Sequence, residues 1–368
     1  MARTTRIFVN SVISVVPWVV LTVALVHAQN PMLLRWDKAA PYPEPEEELY
    51  GIEAGGRMYV IGGFSENGKP APAMVYEWDP AADRWTKKKS IPVPVHHQAQ
   101  TEYNGKIYVF GGCQRPLSGP GMGGWAPVDN AWEYDPVADS WKALWPLPSK
   151  RGSAVAALVD GKMYLIGGAT TVEGSKDVAI NGNGPARVVT TNDVYDPATN
   201  RWESRAPMAL GRNHAFAGAV GGKIYVIGGR VAHAFVTVSS NTDIVEEYNP
   251  ATNTWSGLKA KMPTARSGGG WGTYQGKIYV AGGEVSTPEL AGAFRAVEVY
   301  DPAANVWTKM PPMPMPRHGV AGAVLGNRFH LVSGMITTAA AGAGQDPKME
   351  VHTSLHDVID LSGTAGSQ

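Results

Sequence analysis

One seven-residue pattern returns along this chain at a period of roughly 50 residues, and it limits the fold more than any other feature. Arg57-Met58-Tyr59-Val60-Ile61-Gly62-Gly63 recurs as Lys106-Ile107-Tyr108-Val109-Phe110-Gly111-Gly112 and as Lys162-Met163-Tyr164-Leu165-Ile166-Gly167-Gly168. Lys223 to Gly229 and Lys277 to Gly283 are further copies, and Arg328 to Gly334 is a degenerate sixth. A second signature follows the first five copies: an aromatic residue, then Asp-Pro or Asn-Pro, then a tryptophan. Its instances are Asp79 with Trp85, Asp135 with Trp141, Asp196 with Trp202, Asn249 with Trp255 and Asp301 with Trp307. Each unit holds four strand-length runs rich in Val, Ile, Tyr and Trp, as residues 215–220, 223–227, 244–248 and the stretch around Trp255 illustrate. A four-stranded antiparallel sheet cannot bury both of its faces alone. A ring of such sheets packed face to face can, and it leaves only short edges.

These paired motifs resemble the kelch repeat, and the resemblance covers nearly all of the chain after its N-terminal segment. It implies an all-β fold, a six-bladed kelch β-propeller of four-stranded antiparallel blades. The double glycines and the tryptophans then belong to the scaffold: glycine where the backbone bends against a neighbour, tryptophan between blades. Six second strands are present but only five tryptophan-bearing fourth strands follow them. His356 to Leu361 reads as a third strand, and Leu33-Leu34-Arg35-Trp36 as the missing fourth. The last blade is therefore expected to be closed by an N-terminal strand, which removes the last open edge.

Lys plus Arg equals Asp plus Glu at 32 each, and no basic run stands out, so nothing draws the chain to nucleic acid or anionic lipid. Cys113 is the single cysteine, which excludes an intrachain disulfide; it reads as a buried filler, with a reactive thiol as the alternative. Arg3 and Arg6, an apolar stretch over 12–26 and Val26-His27-Ala28 form a signal-peptide pattern. Residues 1–28 are expected to be removed, leaving 29–368 as the propeller, exported to the periplasm or the medium without a membrane span; an uncleaved anchor is the alternative.

Long loops on a rigid scaffold carry function. Three join second to third strands, over 113–130 with Trp125, over 169–192 and over 335–352. Aligning the repeats gives equivalent positions just before each first strand: Glu46, Val95, Arg151, Arg212, Arg266 and Arg317, then Glu47, His96, Gly152, Asn213, Ser267 and His318, then Glu48, His97, Ser153, His214, Gly268 and Gly319. Phe64, Cys113, Ala169, Arg230, Glu284 and Met335 follow the double glycines. In kelch proteins that bind peptides, positions like the second and the last of these sets face the partner. The resemblance therefore nominates Glu47, His96, Asn213, Arg230, Ser267, Glu284 and His318, with Trp125 as a loop anchor. The repeated arginines have a plainer role, pairing with acids between blades. His318, Glu47 and His96 come from neighbouring blades and have the chemistry of metal ligands or of an acid–base site, although no local metal motif is present and no cofactor is assigned.

The reading is a binding protein that captures a protein, peptide or glycan on one propeller face. The alternative is a periplasmic sugar mutarotase or epimerase resembling the sialic-acid kelch enzyme; no catalytic motif can be matched to it. A copper-radical oxidase needs a Tyr-His pair that this sequence lacks. Kelch adaptors of ubiquitin ligases carry a helical domain ahead of the propeller, and none is read here.

Overall fold

The strands sort themselves by position in each blade. In the computed structural model, which describes residues 34–64, 72–182, 186–287, 289–338 and 351–364, the innermost strand alternates between buried and half-buried positions, as in Val155–Val159. The second strand is buried along nearly its whole length, as Met163 to Ile166 are, because it has sheet on both sides and blades on both faces. The fourth exposes nearly everything except its tryptophan. Residues 1–28, which the sequence pattern marks for removal, lie outside the described residues. None of the described helices is long and apolar enough to cross a membrane.

Six four-stranded antiparallel sheets form the blades. Blade 1 is Glu47–Ala54, Arg57–Phe64, Met74–Asp79 and Arg84–Lys87. Blades 2 to 5 begin at Ala99–Tyr103, Val155–Val159, Phe216–Val220 and Gly270–Tyr274 and repeat that order. Blade 6 is Ala321–Leu325, Arg328–Val332 and His356–Asp360, completed by Trp36–Lys38 from the other end of the chain, with Trp36 opposite Ile359. The expected closure by an N-terminal strand is what the structure has.

The signature tryptophans do more than fill space. Each indole N–H donates to a carbonyl in the connector that leaves the preceding blade: Trp85 to Ala40 (2.9 Å), Trp141 to Lys89 (2.9 Å), Trp202 to Trp145 (3.0 Å), Trp255 to Ala206 (2.8 Å) and Trp307 to Ala260 (2.9 Å). Trp36 makes the equivalent bond to Pro311 at 3.3 Å, so the sixth joint repeats the other five. The double glycines serve the same joints from the inside. The N–H of Gly112 donates to Arg151 O of the next blade, and Gly168, Gly229 and Gly283 repeat the bond. A Cβ on Gly111 would stand 2.4 Å from Arg151 O, and its φ of 59° is one that other residues rarely adopt.

The repeated arginines are buried, but they do not bridge blades. Arg151 pairs with Asp193 (2.7 Å), Arg212 with Glu246 (2.6 Å), Arg266 with Glu298 and Arg317 with Asp357 (2.5 Å). Each acid sits on or at the third strand of the arginine's own blade, because the side chain turns back across that sheet while its carbonyl faces the previous blade.

Candidate functional site

The two sets of positions singled out in the sequence are cross-strand partners. His96 pairs with Cys113, Gly152 with Ala169, Asn213 with Arg230, Ser267 with Glu284 and His318 with Met335, each an isolated antiparallel bridge at the loop-bearing end of its blade. The chain then turns through a left-handed residue into the innermost strand. That residue is Glu48 (φ 53°), His97 (57°), Ser153 (57°), His214 (50°), Gly268 (66°) or Gly319 (58°), one from each blade. Backbone hydrogen bonds link them around the channel: Ser153 N to His97 O, His214 N to Ser153 O, Gly268 N to His214 O, Gly319 N to Gly268 O and Leu49 N to Gly319 O, all within 2.7–3.2 Å.

Inside this belt lies a knot of buried polar groups. His97 Nε2 is 3.2 Å from Glu48 Oε2, and His318 Nε2 is 2.8 Å from Glu47 Oε2 and 3.7 Å from Glu284 Oε2. The Arg230 guanidinium pairs with Glu284 and donates to Ser267 Oγ (2.9 Å) and Ala234 O (2.6 Å). Its Nη1 also comes within 3.4 Å of His214 Nε2. His214 Nδ1 bonds Asn213 Oδ1 at 2.5 Å. Burial opposes the charge on Glu48, but His97, then His318 and Arg230, outweigh it and bring that carboxyl down to about 2. Burial likewise opposes protonation of His318, and Glu284, Glu47 and Glu48 overcome it, raising the imidazole to about 10. Burial, reinforced by neighbouring cations, holds His96 and His214 well below the ordinary histidine range. Two triads that share Glu48 have potential ligand atoms within 4.8 Å of one another: Glu48, His97 and His214, and Glu47, Glu48 and His318.

Loops cover this knot. Trp125 is stacked between His97 (4.3 Å) and Phe235 (4.3 Å), so both faces of its indole are occupied. Phe64 packs edge-on against His96, His97 and Trp125. Between these aromatics and the floor of Glu47, Glu48, His97, Arg230 and Glu284 lies a cavity of about 60 Å³. Below the belt, the central channel opens to about 310 Å³, walled by the innermost strands with small residues such as Ala156, Gly218 and Gly322.

All eight nominated residues lie in this region, and all are buried. Trp125 and Glu47 are 7% exposed and the other six 1% or less. They form the floor and a wall of a covered chamber rather than an open rim. His318 and Glu47 meet as the sequence suggested, but His96 turns to the His97 ring and Phe64 instead of joining them. The groups that face the centre with Glu47 and His318 are Glu48, His97 and His214, which the repeat alignment sets out but the resemblance does not nominate. The signal available for them was Gly268 and Gly319 at the same alignment position, which marks it as left-handed. Cys113 is buried with its thiol pushed well up by desolvation, the property of a filler.

The Kelch motif matches residues 101–147, 211–260 and 265–314, and a second Kelch motif description matches 150–209. The chain belongs to the kelch-repeat family. Those matches span kelch blades 2 to 5, and blades 1 and 6 share their architecture. Kelch-like protein terF of Aspergillus terreus is 29% identical over 218 residues, 59% of this chain and 45% of that protein. Kelch-like protein 36 of Mus musculus is 32% identical over 191 residues, 52% of this chain and 29% of its own length. A putative F-box/kelch-repeat protein of Arabidopsis thaliana is 34% identical over 168 residues, 45% of this chain and 42% of its own. The chain thus spans less than half the length of these relatives. Among solved structures, that of YjhT superposes with a TM-score of 0.66 over 86% of this chain and 96% of the other at 18% identity, a likeness of kelch fold.

Proposed function

We propose that this kelch protein is a binding module that takes a protein partner across the loop-bearing face. One observation carries the reading. Of eleven large apolar side chains exposed among the described residues, six, Leu117, Met122, Val178, Val238, Leu290 and Val351, stand on loops between second and third strands. Apolar exposure gathered on one face of a rigid scaffold fits a protein surface better than a glycan, which needs a free aromatic platform. Trp125, the aromatic nominated for that role, is sandwiched on both sides. In four blades the loop rises as a two-stranded ribbon, Cys113–Gln114 with Ala126–Pro127 being the first, which holds the face in shape.

The capped chamber of about 60 Å³ is too small for a sugar, and the cavity of small-molecule size is the channel of about 310 Å³ below the belt, which is walled by small residues such as Ala156, Gly218 and Gly322.

A photo-crosslinking residue at Met122 or Leu290, with Val137 in the turn between third and fourth strands of blade 2 as control, tests the face. Crosslinks to a polypeptide from the first two positions and not from the third are expected; equal labelling from all three overturns the reading. Export belongs to the same proposal. The exported protein is expected to begin at Gln29 by mass spectrometry, and an intact Met1 or Ala2 terminus refutes cleavage.

A further inference from the structure

We propose that Glu48, His97 and His214 form a binding site for one divalent transition-metal ion of the zinc class at the mouth of the central channel. The site is separate from the protein-partner reading and stands without it.

The donor set is two imidazoles and one carboxylate, a combination that holds borderline divalent ions through three protein ligands and leaves further positions open. The donor atoms of the three residues lie within 4.8 Å of one another. A tetrahedral ion with bonds of about 2.0–2.1 Å needs its ligands about 3.3–3.5 Å apart, so a contraction of roughly an ångström completes the site. His97 Nε2 already stands 3.2 Å from Glu48 Oε2.

The surroundings do what the outer shell of a metal site does. Asn213 Oδ1 accepts a hydrogen bond from His214 Nδ1 at 2.5 Å, which leaves the Nε2 lone pair for a metal. Trp125 stacks against the His97 ring, with 4.3 Å between centroids and 30° between planes, and limits its rotation. Three carboxylates, Glu47, Glu48 and Glu284, stand against two cationic groups, the Arg230 guanidinium and the His318 imidazole that pairs with Glu47 and Glu284, so a cation offsets the one remaining buried negative charge. Arg230 Nη1, at 3.4 Å from His214 Nε2, stands where the ion would enter, and its bonds to Glu284, Ser267 and Ala234 hold it when that contact is given up. The cavity of about 60 Å³ beside Glu48 and His97 has space for the ion and the waters that fill its open positions.

The backbone is consistent with a site kept at a cost. Glu48, His97 and His214 occupy left-handed conformations, each costing on the order of 1–3 kcal/mol, where two other blades use glycine. Ser153 adopts the same conformation in blade 3, so the strain belongs to the whole belt, and what sets Glu48, His97 and His214 apart is their ligand chemistry.

Purified protein stripped with a chelator and titrated calorimetrically with Zn²⁺ is expected to bind one equivalent and to melt at a higher temperature, with no such response to Mg²⁺ or Ca²⁺. Co²⁺ in place of Zn²⁺ is expected to give the visible absorption of a four- or five-coordinate site. Glu48→Gln, His97→Gln and His214→Gln each lower Zn²⁺ affinity at least a hundredfold, and Asn213→Ala, which only positions His214, tenfold to a hundredfold. Failure of the wild-type protein to take up one equivalent, or uptake unchanged in folded Glu48→Gln and His214→Gln, overturns the site. If those variants do not fold, X-ray absorption of the wild-type complex decides. Two imidazole nitrogens in the metal shell support the assignment, and an all-oxygen shell refutes it.

Discussion

His318 Nε2 lies 2.8 Å from Glu47 Oε2, so the loop-bearing face is clasped where the last blade meets the first. The partners come from opposite ends of the propeller sequence, and both are buried. This clasp works beside the strand Trp36–Lys38, which closes the same ring at its outer edge.

Removing one member of that clasp leaves the other without its buried partner. His318→Leu is expected to lower stability by about 3–5 kcal/mol, because Glu47 and Glu284 lose the imidazole between them. Urea unfolding measures it; a loss below about 1 kcal/mol assigns the pair no structural role.

Trp36 is half-buried and donates to Pro311 O, as its five counterparts do in their own joints. Trp36→Ala is expected to cost about 2 kcal/mol, less than a fully buried tryptophan, and to move the unfolding midpoint of the whole propeller. An unchanged midpoint assigns the Trp36 side chain no part in holding the ring closed.

Two further histidines sit at the seam of blades 6 and 1. His330 Nδ1 and His356 Nε2 are 2.9 Å apart beneath Trp78. Burial lowers His330 to about 3 and His356 to about 4. Their folded values lie below the unfolded one, so the unfolded chain binds protons first. Stability is present above about pH 6.5 and falls as the pH drops toward the folded values. Between pH 7 and pH 5 the loss is about 2 kcal/mol for each histidine. His330→Phe is expected to flatten that part of the stability profile; a slope equal to the wild type removes His330 from it.

Gly111 and Gly105 both have positive φ, 59° and 75°, but their surroundings differ. A Cβ added to Gly111 would stand 2.4 Å from a backbone oxygen, whereas one added to Gly105 would meet nothing within 4 Å. Gly105→Ala is expected to cost about 1–2 kcal/mol from conformation alone, and Gly111→Ala more than about 3 kcal/mol. Thermal melts of the two variants separate collision from strain; equal losses refute the close approach.

The fold was legible because its scaffold repeats. Each Tyr-Val-Ile-Gly-Gly strand and each Asp-Pro-to-Trp turn solves one packing problem, and even the open count of tryptophan strands pointed to Trp36. The chamber was harder to read. Repeat alignment placed Glu47, Arg230, Glu284 and His318 at one end of the disc, but the loops that cover them fold by contacts remote in sequence, such as Trp125 against Phe235. Burial of the candidate residues therefore had no local signature. The arginines misled for a related reason: the alignment fixes where Arg212 starts, not that its side chain turns back to Glu246.

The belt of left-handed residues is bonded through its main chain, so its geometry is indifferent to the side chains it displays. Blade 6 has no room for one: a Cβ on Gly319 would stand 2.5 Å from Glu48 N. Blade 5 has room, since the nearest atoms to a Cβ on Gly268 are Arg230 Nη2 at 3.6 Å and Glu284 Oε1 at 3.9 Å. Gly268 is thus a vacant setting in an otherwise occupied collar, and asparagine or aspartate, which tolerate that conformation, can be grafted there to change the chamber's chemistry without redesigning a blade.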